Sequence, residues 1–81
     1  MSRIKELREK SGFSQSQFAK EINITTRRLQ SYEQKQRDFS RASIEVILKI
    51  CTALNCTLEE MFLDEPDVVE AIKKYESNIN N

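Results

Sequence analysis

Basic and amide side chains concentrate in the stretch ITTRRLQSYEQKQR, which runs from Ile24 to Arg37. This stretch holds three arginines, one lysine and four glutamine or serine residues around a single leucine and a single tyrosine. Guanidinium and amide groups can donate paired hydrogen bonds to phosphates and to the edges of nucleic-acid bases. The stretch therefore predicts recognition of a polyanion rather than a chemical reaction.

The charge of the chain is unevenly distributed, although the whole chain is neutral. Residues 1–41 carry ten basic and five acidic side chains, a net charge of +5, whereas residues 42–81 carry three and eight, a net charge of −5. Such asymmetry is typical of a protein that turns one end toward a polyanion. If charge is considered alone, the alternative interpretation is that the charged residues of such a short chain are unevenly distributed by chance.

The sequence offers little for catalysis or for metal binding. It contains no histidine and no Gly-rich phosphate loop, and its two cysteines, Cys51 and Cys56, stand in an apolar run without CxxC spacing. The acids of the DEPD segment, residues 64–67, suit a helix N-terminus, whose dipole favours carboxylates. We therefore expect no enzymatic activity, no metal and no cofactor, and we expect both thiols to be reduced.

Composition predicts a single small all-α domain. The chain has 81 residues, of which 38% are hydrophobic and 32% are charged, with one glycine and one proline. So few turn-forming residues argue against a β-sheet domain. Because the sequence has neither an apolar leader nor an apolar run near the ~18 residues of a membrane span, we expect a cytoplasmic protein without membrane contact.

Apolar spacing and terminal signals predict six helices. The first covers 2–11, the second 15–22 and the third 26–34, while the fourth, fifth and sixth begin after Ser43, after Thr57 and at Pro66. Residues 35–42 interrupt the periodicity and predict a loop that Phe39 anchors to the core. The last five residues, 77–81, are expected to fray.

Local motifs support these helix boundaries. Ser14 with Gln17, and Thr57 with Glu60, have the spacing of capping boxes, in which a side chain and the backbone exchange hydrogen bonds. Asn23 fits a tight turn between the second and third helices, because asparagine tolerates left-handed backbone angles. The inward positions predicted for the fourth helix are Ile44, Ile47, Leu48, Cys51 and Leu54.

The second and third predicted helices have the parts of a helix-turn-helix. Counted from Gln15, apolar side chains fall at positions four, eight, ten, fifteen and eighteen, small Ala19 falls at position five, and Asn23 falls at position nine in the turn. A small residue at position five lets the two helices cross closely. The apolar positions are Phe18, Ile22, Ile24, Leu29 and Tyr32.

Residues 4–63 resemble the Cro/C1-type (XRE-like) helix-turn-helix family of phage and bacterial repressors. The resemblance is carried by IKELREKSGFSQSQFAKEINI, by Tyr32–Glu33 and by IEVILKICTALNCTLEEMF. It implies a compact five-helix, lambda-repressor-like domain, residues 1–65, that binds double-stranded DNA as a two-fold dimer. Residues 66–81 would add a sixth helix and a frayed tail. In this family the third helix lies in the major groove, and the start of the second rests on the phosphate backbone.

This docking implies which side chains meet DNA. Residues near the N-terminus of a helix in the major groove reach base edges. Arg27 is the foremost candidate, since one bidentate contact to guanine provides roughly 1–3 kcal/mol of discrimination. The expected base-reading residues are Thr26, Arg27, Gln30 and Ser31, and the expected phosphate-binding residues are Ser14, Gln15, Thr25, Arg28, Lys35, Gln36 and Arg37. Gln30 remains open to a phosphate contact instead.

The segment after Tyr32–Glu33 departs from the family pattern. Family members commonly continue with Asn-Gly and end the loop with proline, whereas QKQRDFSRAS has neither glycine nor proline and is about three residues longer before the next helix. Either the third helix continues further, through Lys35, or a distinctive loop takes the place of the family pattern.

The expected function is sequence-specific regulation of transcription, as a repressor that occupies an inverted-repeat operator. The alternative is the antitoxin of a toxin–antitoxin pair, whose acidic second half and sixth helix would bind a small protein partner. Val68, Ile72 and Tyr75 of that helix are expected either to form a homodimer seam or to pack on the domain, and the sequence leaves both open.

Overall fold

The computed structural model describes residues 2–79, and all regular structure within them is helical. The α-helices are α1 (Arg3–Lys10), α2 (Gln15–Glu21), α3 (Thr26–Glu33), α4 (Ile44–Leu54), α5 (Leu58–Met61) and α6 (Pro66–Ile79). A 3₁₀ helix, Phe39–Arg41, interrupts the loop between α3 and α4. The predicted all-α fold is confirmed. Among the described helices, none combines the length and apolar character that a membrane crossing requires.

Side-chain caps begin each of the first five α-helices. In each case the hydroxyl of the cap accepts a hydrogen bond from the backbone N–H three residues later, which satisfies a donor that the helix itself leaves free. The five caps are Ser2, Ser14, Thr25, Ser43 and Thr57. The side-chain oxygens of Gln17 and Glu60 accept hydrogen bonds from the backbone N–H groups of the caps, so both predicted capping boxes are confirmed.

One hydrophobic core joins the helices. Its largest fully buried side chains are Phe18, Leu29, Ile50 and Met61, contributed by α2, α3, α4 and α5. Phe39 is also buried, and its ring centroid lies 5.4 Å from those of both Tyr32 and Phe62. The loop between α3 and α4 is therefore anchored to the core by Phe39, as its apolar position predicts.

The prediction for the inward face of α4 is partly wrong. Ile44 and Leu48 expose 65% and 46% of their surface, whereas Ile50 is fully buried. The buried stripe of α4 consists of Ile47, Ile50, Cys51 and Leu54. Its spacing of three, one and three residues places these side chains on one face of the helix, so Ile44 and Leu48 lie beyond its edge.

Of the two alternatives for the segment after Glu33, a third helix that continues through Lys35 is wrong. The helix ends at Glu33, and Lys35 adopts a left-handed backbone with φ of 59°. The backbone N–H groups of Gln36 and Arg37 both donate to the carbonyl of Ser31, at 2.9 and 3.2 Å. These bonds close the helix in the manner of a left-handed C-terminal turn. Lys35 thus adopts a conformation that glycine reaches without steric cost, at the position where the family's Asn-Gly pair would place glycine.

Helix α6 is attached to the domain along its first half only. No described residue of α6 is buried. Val68, Val69 and Ile72 are half-buried against the core, whereas Tyr75 and Ile79 expose 65% and 61% of their surface. Residues 77–79, expected to fray, belong to α6, and residues 80–81 lie outside the described part of the chain.

Candidate nucleic-acid interface

The α2–turn–α3 segment forms a helix-turn-helix of the predicted spacing. Asn23 adopts a left-handed backbone with φ of 58°. The backbone N–H of Ile24 donates to the carbonyl of Ala19 at 3.0 Å, and Ala19 is almost fully buried. A larger side chain at position 19 would separate the two helices, because α2 and α3 pack directly on each other there.

A buried ion pair ties α1 to the C-terminal end of α3. The Arg8 guanidinium donates from Nε to Glu33 Oε2 at 2.7 Å and from Nη2 to Glu33 Oε1 at 3.1 Å, and its Nη1 donates to the Phe13 carbonyl at 2.8 Å. The exposed fractions of the Arg8 and Glu33 side chains are only 7% and 2%. The hydrogen bond that Arg8 donates to Glu33 raises the pKa of Arg8, so the guanidinium stays charged.

Two glutamines extend this ion pair toward the surface of the helix-turn-helix. Gln15 Nε2 donates to Glu33 Oε1 at 3.0 Å, and Gln30 Nε2 donates to Gln15 Oε1 at 3.3 Å. Each amide nitrogen carries two hydrogens, so each glutamine keeps one N–H for an outside acceptor. The two half-buried amides are therefore held in a fixed relation to each other, at the start of α2 and in the middle of α3.

Five of the predicted contact residues meet around one shallow surface cavity of 260 Å³, here termed the arginine hollow. Three of the five carry a guanidinium group, and each guanidinium suits phosphate or guanine. The structure thus brings together candidates for base reading and for phosphate binding. The lining residues are Thr25, Arg27, Arg28, Ser31 and Arg37.

The four base-reading candidates differ in exposure. Arg27 is exposed in the first turn of α3, while Thr26, Gln30 and Ser31 are half-buried. The Ser31 hydroxyl donates to the Arg27 carbonyl at 3.1 Å, which leaves its oxygen free to accept. Arg27 is therefore the candidate with the greatest freedom to enter a groove.

Arg28 is held closer to the protein than Arg27. Its Nε donates to the Tyr32 hydroxyl at 3.2 Å, and its guanidinium carbon lies 5.9 Å from the centre of the Tyr32 ring. This geometry combines a hydrogen bond with a cation–π contact. It fits a phosphate contact at the edge of α3 better than a contact with a base edge deep in the groove.

Lys35 and Gln36 lie apart from the arginine hollow. They line a second cavity of 420 Å³, here termed the loop cavity, and Arg37 lines both. Lys35 Nζ lies 3.4 Å from Asp64 Oδ2, in an ion pair that reaches from the loop to the segment between α5 and α6. The phosphate-binding residues predicted after α3 are therefore divided between two cavities.

Predicted contacts at the start of α2 also serve the fold. The Ser14 hydroxyl accepts from the Gln17 backbone and lies 3.3 Å from the Ser16 hydroxyl, and it is exposed. Gln15 supports Glu33 as described above. Both side chains lie at the surface of the helix-turn-helix, so their structural bonds do not remove them from contact with DNA.

Arg8 is the positioning residue that sequence reasoning missed. Arg8 was not among the predicted site residues, yet it is buried. A signal was present, because Arg8 follows Ile4 by four residues and therefore lies on the same face of the helix. Its partner Glu33 follows Tyr32, which is itself a core position.

Comparison with known proteins agrees with this geometry. Neither a curated protein nor a solved structure matches the chain. Residues 4–61 match the model of a family described as helix-turn-helix, a range that begins in α1 and ends with α5. That range contains the tight turn at Asn23, the buried ion pair behind α3 and all five residues that line the arginine hollow. The chain belongs to the Cro/C1-type helix-turn-helix family of DNA-binding transcription regulators.

Proposed function

We propose that the protein is a sequence-specific repressor that binds an inverted-repeat operator as a homodimer, with α3 in the major groove. The observation that carries this proposal is the exposed Arg27 on the first turn of α3, directly after the tight turn. Residues at this end of a recognition helix reach base edges. The buried ion pair between Glu33 and Arg8 holds the inner face of α3. Arg27 would therefore approach a base at a defined angle.

The remaining α3 candidates would complete the reading surface. Thr26 would contact a thymine methyl or donate a hydrogen bond, and Ser31 lies about one turn after Arg27 and would reach bases deeper in the site. Gln30, held by Gln15, would present its free N–H to a base or a phosphate. Each contact would add to specificity only where its partner group lies in a base edge.

Phosphate contacts would set the register of the domain on DNA. Arg28 and Arg37 line the arginine hollow beside Thr25, and Gln15 keeps an N–H free at the start of α2. Lys35 and Gln36 would contact phosphates further along the DNA backbone. With Ser14, these residues make up the proposed phosphate-binding set. Occupancy of the operator would then block polymerase without any chemical step, metal or cofactor.

Selection of binding sites from random duplex DNA tests sequence specificity. We expect one enriched sequence with two inverted half-sites at moderate salt. Arg27→Ala should relax the preference at one position in each half-site, by roughly 1–3 kcal/mol of discrimination. Lys49→Ala removes a positive charge from an exposed site on α4 and serves as the charge-matched control. Failure to enrich any sequence with the native protein would refute the proposal.

Arg28→Ala distinguishes phosphate contacts from base contacts. If Arg28 binds phosphate, its loss should weaken binding about equally on all sequences and reduce the salt slope by about 1. If the loss instead changes the preferred base at one position, Arg28 belongs to the reading set and the role proposed for it is wrong.

The proposed homodimer is supported by the free outer half of α6. Val68, Ile72, Tyr75 and Ile79 follow the spacing of four, three and four residues that is typical of a helix-pairing seam. Val68 and Ile72 also touch the core, whereas Tyr75 and Ile79 remain exposed. Replacing Tyr75 and Ile79 by serine should convert a dimer into a monomer in sedimentation. A dimer that survives this change would place the seam elsewhere.

The same exposed half of α6 supports a second candidate function, that of an antitoxin. In that case Tyr75 and Ile79 would contact a small protein partner, and the acidic second half of the chain would favour a basic one. Stable co-purification with the product of a neighbouring gene, lost on the Tyr75→Ser and Ile79→Ser changes, would support this candidate over the homodimer.

A further inference from the structure

Helices α1 to α4 all end in the same kind of left-handed turn. In each turn a residue with positive φ is followed by a residue whose backbone N–H donates to the carbonyl five positions earlier, at 2.9 to 3.3 Å. Turns of this kind bring the side chains of the two bonded residues together. The turn that ends α4 therefore places two thiols beside each other. The bonded pairs are Arg8–Phe13, Ala19–Ile24, Ser31–Gln36 and Cys51–Cys56.

The backbone bond at the end of α4 limits the separation of Cys51 and Cys56. The N–H of Cys56 donates to the carbonyl of Cys51 at 3.1 Å, across the left-handed turn at Asn55. With standard backbone dimensions, this bond holds the two Cα atoms within about 7 Å of each other. A disulfide requires Cα atoms no more than about 7 Å apart and side chains that point toward each other. The thiols meet the second condition as well, since each is close enough to change the pKa of the other.

Both thiols line one shallow surface cavity of 460 Å³, here termed the thiol cavity. Cys51 is buried, whereas Cys56 is half-buried, so Cys56 is the sulfur that an outside molecule meets first. Burial raises the pKa of Cys51 to about 12 and also raises the pKa of Cys56. Both groups are therefore protonated at neutral pH, and their oxidation is slow there and faster at alkaline pH.

We propose that Cys51 and Cys56 form a reversible disulfide site that a low-molecular-weight disulfide, such as glutathione disulfide, oxidises. The Cys56 thiolate attacks one sulfur of the oxidant and displaces one glutathione thiolate. The Cys51 thiol then loses its proton to solvent and attacks the Cys56 sulfur of the mixed disulfide, which displaces the second glutathione thiolate. In the net reaction, two protein thiols and one glutathione disulfide become one protein disulfide and two glutathione thiols.

The disulfide would join the last turn of α4 to the residue before the Thr57 cap of α5. A cross-link that the folded backbone accommodates restricts the unfolded chain more than the folded one, so it stabilises the fold. Within residues 2–79, the lining of the thiol cavity shares no residue with the predicted DNA contacts. Oxidation would therefore stabilise the domain and leave the DNA-binding surface in place, whichever function that surface has.

Mass spectrometry of the full chain, incubated with glutathione disulfide at pH 8, tests the reaction. We expect the native protein to lose two hydrogen atoms without gaining glutathione. Cys51→Ser should stop at the mixed disulfide and gain one glutathione, whereas Cys56→Ser should stay unmodified over the same time because its remaining thiol is buried. A lasting glutathione adduct on the native protein, or a disulfide-linked dimer, would overturn the proposal.

The equilibrium with glutathione tests whether the fold holds the two thiols together, and it needs the native sequence only. The ratio of oxidised to reduced protein is measured at fixed glutathione concentrations, in buffer and in urea that unfolds the chain. We expect the equilibrium constant for disulfide formation to be about tenfold larger in buffer, because the turn at Asn55 is formed only in the folded chain. The oxidised protein should then also melt at a higher temperature than the reduced protein. An equilibrium constant that is equal or smaller in buffer would overturn the proposal.

Discussion

Helices α3 and α6 both lie at the surface, but they are attached to the domain in different ways. Helix α3 has 8 residues and buries Leu29, Tyr32 and Glu33, whereas α6 has 14 residues and buries none among those described. A helix that reads DNA must hold its side chains at a fixed angle. The comparison indicates that such an angle is fixed by buried residues on the inner face and not by the length of the helix.

The buried ion pair behind α3 illustrates the cost of that anchoring. Two charged side chains lose their hydration when they are buried, and their mutual attraction often does no more than offset this loss. The Arg8–Glu33 pair compensates with two hydrogen bonds between the partners and one to the Phe13 carbonyl. Its main contribution is therefore to position α3 and the Gln15 amide rather than to add net stability.

The largest expected effect comes from breaking this ion pair. Glu33→Ala should lower the free energy of unfolding by about 3–5 kcal/mol, because Arg8 is left buried without its counter-charge. Urea denaturation measures the loss. Glu9→Ala removes an exposed carboxylate of α1 and should change the same quantity by less than about 0.5 kcal/mol. Similar losses in the two variants would mean that the ion pair does not hold α3.

The double variant Arg8→Met with Glu33→Leu separates stability from positioning. Replacing both charges by apolar groups of similar size removes the desolvation cost, so most of the lost stability should return. DNA affinity should stay reduced, because Gln15 loses its acceptor on Glu33 and no longer holds Gln30. Full recovery of DNA affinity would show that the glutamines orient themselves without the ion pair.

Local rules predict most of the helix-turn-helix but not its anchoring. Ser14, Asn23 and Thr25 act on backbone groups within four residues of themselves, so their roles follow from spacing. Arg8 and Glu33 are 25 residues apart, and only the packing of α1 on α3 brings them together. The same limit applies to the arginine hollow, where Arg37 joins Arg27 because the chain folds back after α3.

The ends of α3 and α4 show why the end of α3 was predicted wrongly. Asn55 after α4 has φ of 52°, and asparagine is a common residue for this conformation, so the end of α4 carries a signal in the sequence. Lysine at position 35 gives no such signal, yet its φ is 59°. Tertiary contacts of the following loop, above all the burial of Phe39, override the preference of lysine to continue the helix.

Lys35→Gly tests this strained end of α3 and has the next largest expected effect. Glycine should raise the free energy of unfolding by up to about 1 kcal/mol, because an L-residue with left-handed angles costs roughly 1–2 kcal/mol and glycine does not. DNA affinity should fall, since the proposed phosphate contact is lost. Lys35→Ala removes the same charge but keeps the strain, so it should lower affinity without raising stability. Equal stability of the two variants would refute the strain argument.

Glu65 lies where α6 begins, and its pH dependence tests how that end is attached. Its pKa is raised in the folded chain, so the folded state binds the proton more tightly than the unfolded state. Its contribution to stability therefore falls as pH rises from the unfolded pKa, about 4.3, through the higher folded value. Glu65→Gln should raise the melting temperature at pH 7 and leave it unchanged near pH 3. If the melting temperatures of the variant and the native protein differ by the same amount at pH 3 and at pH 7, the raised pKa of Glu65 is contradicted.

The smallest expected effect on the folded monomer is at Tyr75, and it distinguishes attachment from association. Tyr75 is 65% exposed, so Tyr75→Ser should change the unfolding free energy of dilute protein by less than about 0.5 kcal/mol. Ile72→Ser should cost more, because Ile72 packs on the core. If α6 forms the dimer seam, the loss at Tyr75 should grow with protein concentration, since association stabilises only the folded chain. A loss that stays small at every concentration would leave α6 attached through Ile72 and exclude Tyr75 from the seam.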